Sequence, residues 1–255
     1  MQYKLKLRDS SGKSLELLQD LPEKGSVFPT VIMVPGFGMD LHEYGYFDYV
    51  SRILTRHGIQ TFRFSFEGLG NSEGSYQETT IDSQAMQLHD VVNYVNKDRF
   101  TKKKRIGILA QSFGTSVVTV ALPLPKIKTV IYTSAPIDPY TSISKWFKRQ
   151  QGFFPEGISK IERSDKRKTK IGPEFWTSLA NHDLKREITV LKQPILFIHG
   201  GNDIRIKPFE AHEYFSQVKS RKKFVLIERA DHGFTNKFRL KVIDQITKWF
   251  SEELF

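Results

Sequence analysis

Two short runs at the start of the chain, residues 3–9 ("YKLKLRD") and 15–21 ("LELLQDL"), alternate polar and apolar positions. Alternation with period two predicts half-buried strands, and "SSGKS" between them reads as a hairpin turn. After this hairpin the pattern changes to apolar runs separated by segments of helical periodicity. "TVIMVPG" (30–36) predicts a strand and residues 41–56 a helix that ends at Gly58. "IQTFRFSF" (59–66) predicts the next strand, followed by a glycine-rich loop and a helix over 80–97. In that helix Ile81, Ala85, Leu88, Val92 and Val95 form one apolar stripe.

"RIGILAQ" (105–111) predicts a strand that runs into Ser112, and the helix after it is stopped by Pro123 and Pro125. "IKTVIYTSA" (127–135), "PILFIHG" (194–200) and "KFVLIER" (223–229) predict three more strands. A helix over 207–218 and a last helix burying Phe238, Val242, Ile246 and Trp249 complete the series. Residues 137–190 break the rhythm. Strands separated by helices imply a mainly parallel sheet covered on both faces, here of eight strands. No internal repeat is present.

Composition narrows the possibilities further. A chain of 255 residues with 39% hydrophobic content can bury one large core, with or without a covering insertion. The absence of cysteine removes disulfides, thiolate metal sites and a cysteine nucleophile, and fits a reducing, cytoplasmic setting. The start lacks the apolar core of a signal peptide, and no apolar run of membrane-spanning length occurs. Net charge is +11, with 39 Lys and Arg against 28 Asp and Glu. No nucleic-acid-binding motif accompanies it, so solubility is the simpler reading than a nucleic-acid partner. "KKKR" (102–105) and "KSRKK" (219–223) precede strands and so belong to the sheet edge away from the strand ends that carry chemistry.

In open α/β sheets, ligands bind beyond the carboxyl ends of the strands. Those positions hold "PGFG" (35–38), "EGLGNSEG" (67–74), Ser112, "GNDIRI" with Asp203, and "ADHGF" with His232. A hydroxyl, a carboxylate and an imidazole thus converge on one edge, in chain order Ser, Asp, His. Asp138, after another strand, and Asp231, beside the histidine, are rivals for the acid. His42, His57, His89, His182, His199 and His212 are less well placed than His232, which follows the last strand.

These residues resemble the α/β-hydrolase superfamily over nearly the whole chain. The resemblance is greatest to capped carboxylesterases of the feruloyl-esterase-like and monoacylglycerol-lipase-like branch. "AQSFG" matches the nucleophile elbow G-x-S-x-G, with Ala110 at the first glycine. "PGFG" matches the oxyanion loop H-G-x-G, with Pro35 for its buttressing histidine. "FEGLGNSEG" matches F-D-x-x-G-x-G-x-S-x-G, with Glu67 for Asp, and "HGGNDIRI" matches H-G-x-x-D-x-x-V.

The resemblance implies a Ser112, Asp203 and His232 triad that cleaves carboxylic esters through an acyl-enzyme. It implies oxyanion donors at the backbone N–H groups of Phe37 and Phe113, and no metal or organic cofactor. It makes residues 1–136 and 191–255 the core and 137–190 a cap, whose Trp146, Phe147, Phe153, Phe154 and Trp176 are apolar enough to line a pocket. The segment "KIERSDKRKTK" (160–170) carries +4 and reads as a charged hairpin; at the mouth it would favour anionic substrates. An aromatic or anionic ester is the expected small-molecule partner. Thioesterase, monoacylglycerol lipase and a non-catalytic binding protein on the same fold stay open as alternatives, and oligomeric state is not legible.

Overall fold

The computed structural model describes residues 1–163, 165–235 and 237–255. The strands are β1 (Gln2–Arg8), β2 (Ser14–Asp20), β3 (Phe28–Val34), β4 (Gln60–Phe64), β5 (Thr101–Gln111), β6 (Thr129–Thr133), β7 (Ser159–Glu162), β8 (Lys168–Ile171), β9 (Ile195–Gly200) and β10 (Lys222–Ile227). The helices are α1 (Tyr46–Arg56), α2 (Ile81–Lys97), α3 (Phe113–Val120), α4 (Pro139–Arg149), α5 (Pro173–Ala180), α6 (Leu184–Glu187), α7 (Pro208–Gln217) and α8 (Phe238–Leu254).

Eight strands form one sheet in the order β1-β2-β4-β3-β5-β6-β9-β10. The β1–β2 hairpin and the β2–β4 pair are antiparallel, and the remaining neighbours are parallel. The mainly parallel sheet expected from the sequence is therefore present: this is the α/β-hydrolase fold. The chain runs from β3 outward to β4, then returns to the other side of β3 as β5. Strand order thus reverses between β3 and β5, and the carboxyl ends there are where ligands bind in open α/β sheets.

Helices cover both faces. On one, α1 and α8 press Phe47, Val50, Leu54, Val242, Ile246 and Trp249 onto Val31, Leu109 and Ile198. On the other, α2 and α3 bury Ile81, Leu88, Val92 and Val117 against Ile32, Phe62 and Ile108. The whole predicted stripe of α2 is buried, and Thr80 caps the helix by a reciprocal bond with Ser83. In α8, Phe238 is only partly buried.

Two boundaries differ from expectation for local reasons. The first helix begins at Tyr46, because Glu43, Tyr44 and Gly45 all take positive φ (46°, 54° and 77°). That turn cannot be helical. β5 begins at Thr101, yet its pairing jumps from Phe28↔Thr101 to Thr30↔Ile106. Pro29, which lacks an N–H, thus faces the looped-out Lys102–Arg105 segment. The basic run lies at the strand end opposite Ser112, as anticipated.

Between β6 and β9 the chain inserts α4, the antiparallel β7–β8 hairpin, α5 and α6. The end of α5 docks on the start of α2 through Asp82, which accepts from Ser178 Oγ (2.6 Å) and faces His182 Nε2 (2.9 Å). His182 Nδ1 meets Glu187 at 2.9 Å. Among the described residues no helix is long and apolar enough to cross a membrane.

Burial disfavours a charged His182, but Glu187 and Asp82 outweigh it and raise its pKa above 6.5. The stabilisation is complete below the unfolded value and is lost as pH rises through the folded one. His182→Ala is expected to cost about 0.5–1 kcal/mol more unfolding free energy at pH 5.5 than at pH 8.5, read by denaturant unfolding at both pH values.

Candidate active site

β5 ends in a sharp turn into α3. Ser112, at that junction, has φ 51° and ψ −122°, a conformation that L-residues avoid and achiral glycine tolerates. Its N–H donates to the Thr133 carbonyl at 2.8 Å, and its own carbonyl accepts from Thr115 N–H (2.9 Å) and Oγ1 (2.7 Å). The side chain is left projecting from the turn and is partly exposed.

Gly114, two residues after Ser112, lies against the end of β3. A Cβ there would lie 2.5 Å from the Pro35 carbonyl oxygen and 2.6 Å from that of Val34. The close approach is thus to the end of the neighbouring strand β3. Ala110 is fully buried.

The three groups expected to meet do so. His232 Nε2 is 3.0 Å from Ser112 Oγ, and His232 Nδ1 is 2.7 Å from Asp203 Oδ2. Asp203 Oδ1 accepts the backbone N–H groups of Arg205 (2.9 Å) and Ile206 (3.0 Å). Burial pushes the Asp203 carboxyl up, but His232, the Ile206 N–H and His199 together hold it below the usual carboxylate range. It is an anion fixed by two N–H groups and one imidazole. The rivals lie elsewhere. Asp138 caps α4 through Thr141 N–H (2.9 Å), and Asp231 binds Thr235. His199 is buried beside Asp203, with Nε2 on the Ile206 carbonyl at 3.0 Å. Burial lowers its pKa and keeps it neutral.

Residues outside the triad hold this arrangement. The His232 carbonyl accepts from Gln111 Nε2 (3.2 Å) and Ser134 Oγ (2.8 Å), tying the histidine loop to the ends of β5 and β6. Gly200 faces the same loop so closely that a Cβ would meet the Ala230 oxygen at 2.5 Å.

The loop after β3 has lost its usual histidine to Pro35, and other side chains hold it. Gly36 N–H donates to Glu43 Oε2 and Gly38 N–H to Tyr76 Oη, both at 2.8 Å. The Gly36 carbonyl accepts from Met39 N–H at 3.1 Å, and the Phe37 carbonyl accepts from Arg163 Nη2 at 2.5 Å. Phe37 N–H has no acceptor among the described residues. Phe113 opens α3, where a helix leaves its first N–H groups without intrahelical acceptors. Glu67, at the start of the glycine-rich loop, pairs with Lys13.

The five aromatic residues assigned to a pocket separate into distinct places. Phe147 and Trp176 are buried within the insertion, where Trp176 packs edge-on to Phe153 and donates to Ser159 Oγ (3.0 Å). Phe154 faces solvent. Trp146 is partly buried, 6.2 Å centroid to centroid from Phe37, with the Arg163 and Arg205 guanidiniums 5.1 and 5.4 Å from its ring. Of the six basic residues in 160–170, five are exposed and only Arg163 turns inward.

Burial pushes the Glu43 carboxyl up to about 7, against the pull of Gly36 N–H and the charge of Arg163. An unfolded glutamate titrates near 4.5, so between these values the folded chain holds a proton that the unfolded chain lacks. Stability therefore falls as pH rises through that window. Glu43→Gln, which keeps an acceptor for Gly36, is expected to be more stable than wild type at pH 8 by about 1–3 kcal/mol. The gain should vanish at pH 4, as read by denaturant unfolding at both pH values. Gly114→Ala is expected to cost about 1–3 kcal/mol by overpacking and to depress activity, measured by melting and ester turnover.

Comparison with known proteins agrees with this architecture. The profile of the prolyl oligopeptidase family matches residues 47–254. A comparison with curated proteins found no match. Among solved structures, Est1E from Butyrivibrio proteoclasticus with ferulic acid bound is 22% identical, covering 97% of this chain and 98% of its own, with a TM-score of 0.82. The esterase domain of a Rhodothermus marinus protein is 20% identical, covers 100% of both chains and gives 0.77. An esterase from Pyrococcus furiosus is 17% identical, covers 100% of this chain and 93% of its own, and gives 0.78. At these identities the structural likeness speaks for the fold, and the family match extends it: the chain belongs to the prolyl oligopeptidase family and is a serine hydrolase of the α/β-hydrolase fold.

Proposed function

We propose that the protein cleaves carboxylic esters through an acyl-enzyme on Ser112. The observation that carries this reading is the continuous chain from Ser112 Oγ through His232 to Asp203, with contacts of 3.0 and 2.7 Å. A serine hydroxyl is a weak nucleophile until a base removes its proton. His232 Nε2 is the base, and Asp203 holds Nδ1–H and so fixes the tautomer. The oxygen of the attacked carbonyl becomes an oxyanion, which takes the free N–H groups of Phe37 and Phe113. Collapse of this intermediate expels the alcohol, which receives its proton from Nε2. Water, activated by the same imidazole, then releases the acid.

Residues 137–190 act as a cap, and Trp146 is the pocket residue among the five aromatics. With Phe37 it offers an apolar wall suited to an aromatic acyl group, while Arg205 favours an acid group at the rim. Est1E, which shares the fold, holds ferulic acid. Family membership favours a second reading, cleavage of a peptide or amide bond by the same groups.

A fluorophosphonate probe should label wild type and leave Ser112→Ala unlabelled; a folded wild type that takes no label would leave a binding protein. Asp203→Asn should lower kcat by about 10⁴-fold with the fold intact. Matched aryl esters, acyl thioesters and aminoacyl anilides then separate the readings. The ester series should give the highest kcat/KM, and anilides in first place would favour the peptidase reading.

A further inference from the structure

Resting on the triad reading above, we propose that Arg163, from the inserted hairpin, is a positioning residue for the oxyanion donor at Phe37. The insertion then sets the oxyanion hole as well as covering it.

Side chains on the β7–β8 hairpin alternate. Ser159, Ile161, Thr169 and Ile171 are buried, and Lys160, Glu162, Lys168 and Lys170 are exposed. Position 163 continues the buried series, yet it carries a guanidinium, only 6% exposed. A buried cation usually takes a carboxylate partner. Among the described residues no carboxylate oxygen lies within 4.0 Å of this one. Its hydrogen bonds go instead to Thr169 Oγ1 (2.7 Å), Met39 Sδ (3.3 Å) and the Phe37 carbonyl (2.5 Å). Two of those three partners belong to the loop after β3.

That loop has little freedom left. The peptide joining Phe37 to Gly38 is gripped from both sides, its carbonyl by Arg163 and its N–H by Tyr76 Oη (2.8 Å). Gly38 sits at φ 61°, and a Cβ there would overlap Arg163 Nη2. On the other side, Gly36 N–H is held by Glu43. The peptide carrying Phe37 N–H lies between these two fixed units, so its direction follows from theirs. The Phe37 ring is enclosed as well, by edge or tilted contacts to Tyr76, Phe113, Trp146, Phe147 and Phe175. The guanidinium also puts a positive charge near the place where the oxyanion forms, and preorganised charge of that kind acts on the transition state more than on the ground state.

A hairpin staple without catalytic effect would change stability and leave kcat alone. The test is steady-state kinetics on an aryl ester with Arg163→Met, alongside fluorophosphonate labelling of wild type and Ser112→Ala. Arg163→Met should lower kcat by about 10–10² with KM within about threefold, and slow labelling to match. Arg163→Lys should recover part of the loss, and millimolar methylguanidinium should partly rescue Arg163→Ala. Lys168→Met, outward on the same hairpin, should behave as wild type. A folded Arg163→Met with unchanged kcat and labelling rate, beside a labelled wild type, overturns this proposal alone. A wild type that takes no label overturns the triad reading and this proposal together. If Arg163→Met does not fold, Tyr76→Phe loosens the same peptide; it should lower kcat with KM held, and an unchanged kcat overturns the proposal.

Discussion

Ser112 stands in a backbone conformation that a serine resists, and the surrounding structure is arranged to keep it there. Its φ of 51° turns β5 into α3 within one residue and lifts the side chain off the sheet. The turn is possible because its N–H is caught by the Thr133 carbonyl and because Gly114 lets α3 pass against the Val34 and Pro35 carbonyls. The end of β3 is thereby pressed against the start of α3. That contact puts the loop after β3 next to the serine, where the strand order reverses. Strain, close approach and topology are one constraint seen at three scales.

A second consequence concerns charge. The site holds Asp203 as a buried anion, His199 as a neutral neighbour, and Glu43 and Arg163 on two sides of the loop 35–39. Each ionisable group is bound to backbone, so moving any one of them moves the main chain of the site. Phe37 is the joint of this assembly. Its carbonyl belongs to the insertion through Arg163, its ring to the aromatic cluster, and its N–H to the proposed oxyanion. Catalytic geometry and the seating of the insertion are therefore not separable properties of this fold.

Much of this was legible in the sequence, for a physical reason. Apolar runs separated by helical stripes specify a parallel sheet, and a parallel sheet places the residues after its strands at one edge. Ser112, Asp203 and His232 could be read because each follows a strand. Asp138 follows a strand too, and the choice of Asp203 rested on the fit of "HGGND" to its motif and on its distance along the chain from His232. What could not be read depends on contacts between distant segments. Glu43, Tyr76 and Ser134 occupy no motif, Gln111 is an unspecified position of the elbow motif, and their roles arise only when the loops meet. Arg163 was hidden for another reason: in a segment of charge +4 it looks like one more solvated base. Its parity with Ser159 and Ile161 along the strand was the available signal. The pocket aromatics were chosen by composition alone, and composition does not say which way a ring faces. Hence Phe154 turns outward and Trp176 inward.

The central claim is that Ser112 itself becomes acylated. The direct measurement is rapid mixing with an aryl ester, acid quench, and mass analysis of the intact protein and its peptides. The account predicts a burst of phenol equal to the enzyme concentration and an acyl mass on the peptide that contains Ser112. Ester turnover with no burst and no adduct, undiminished in Ser112→Ala, would contradict it.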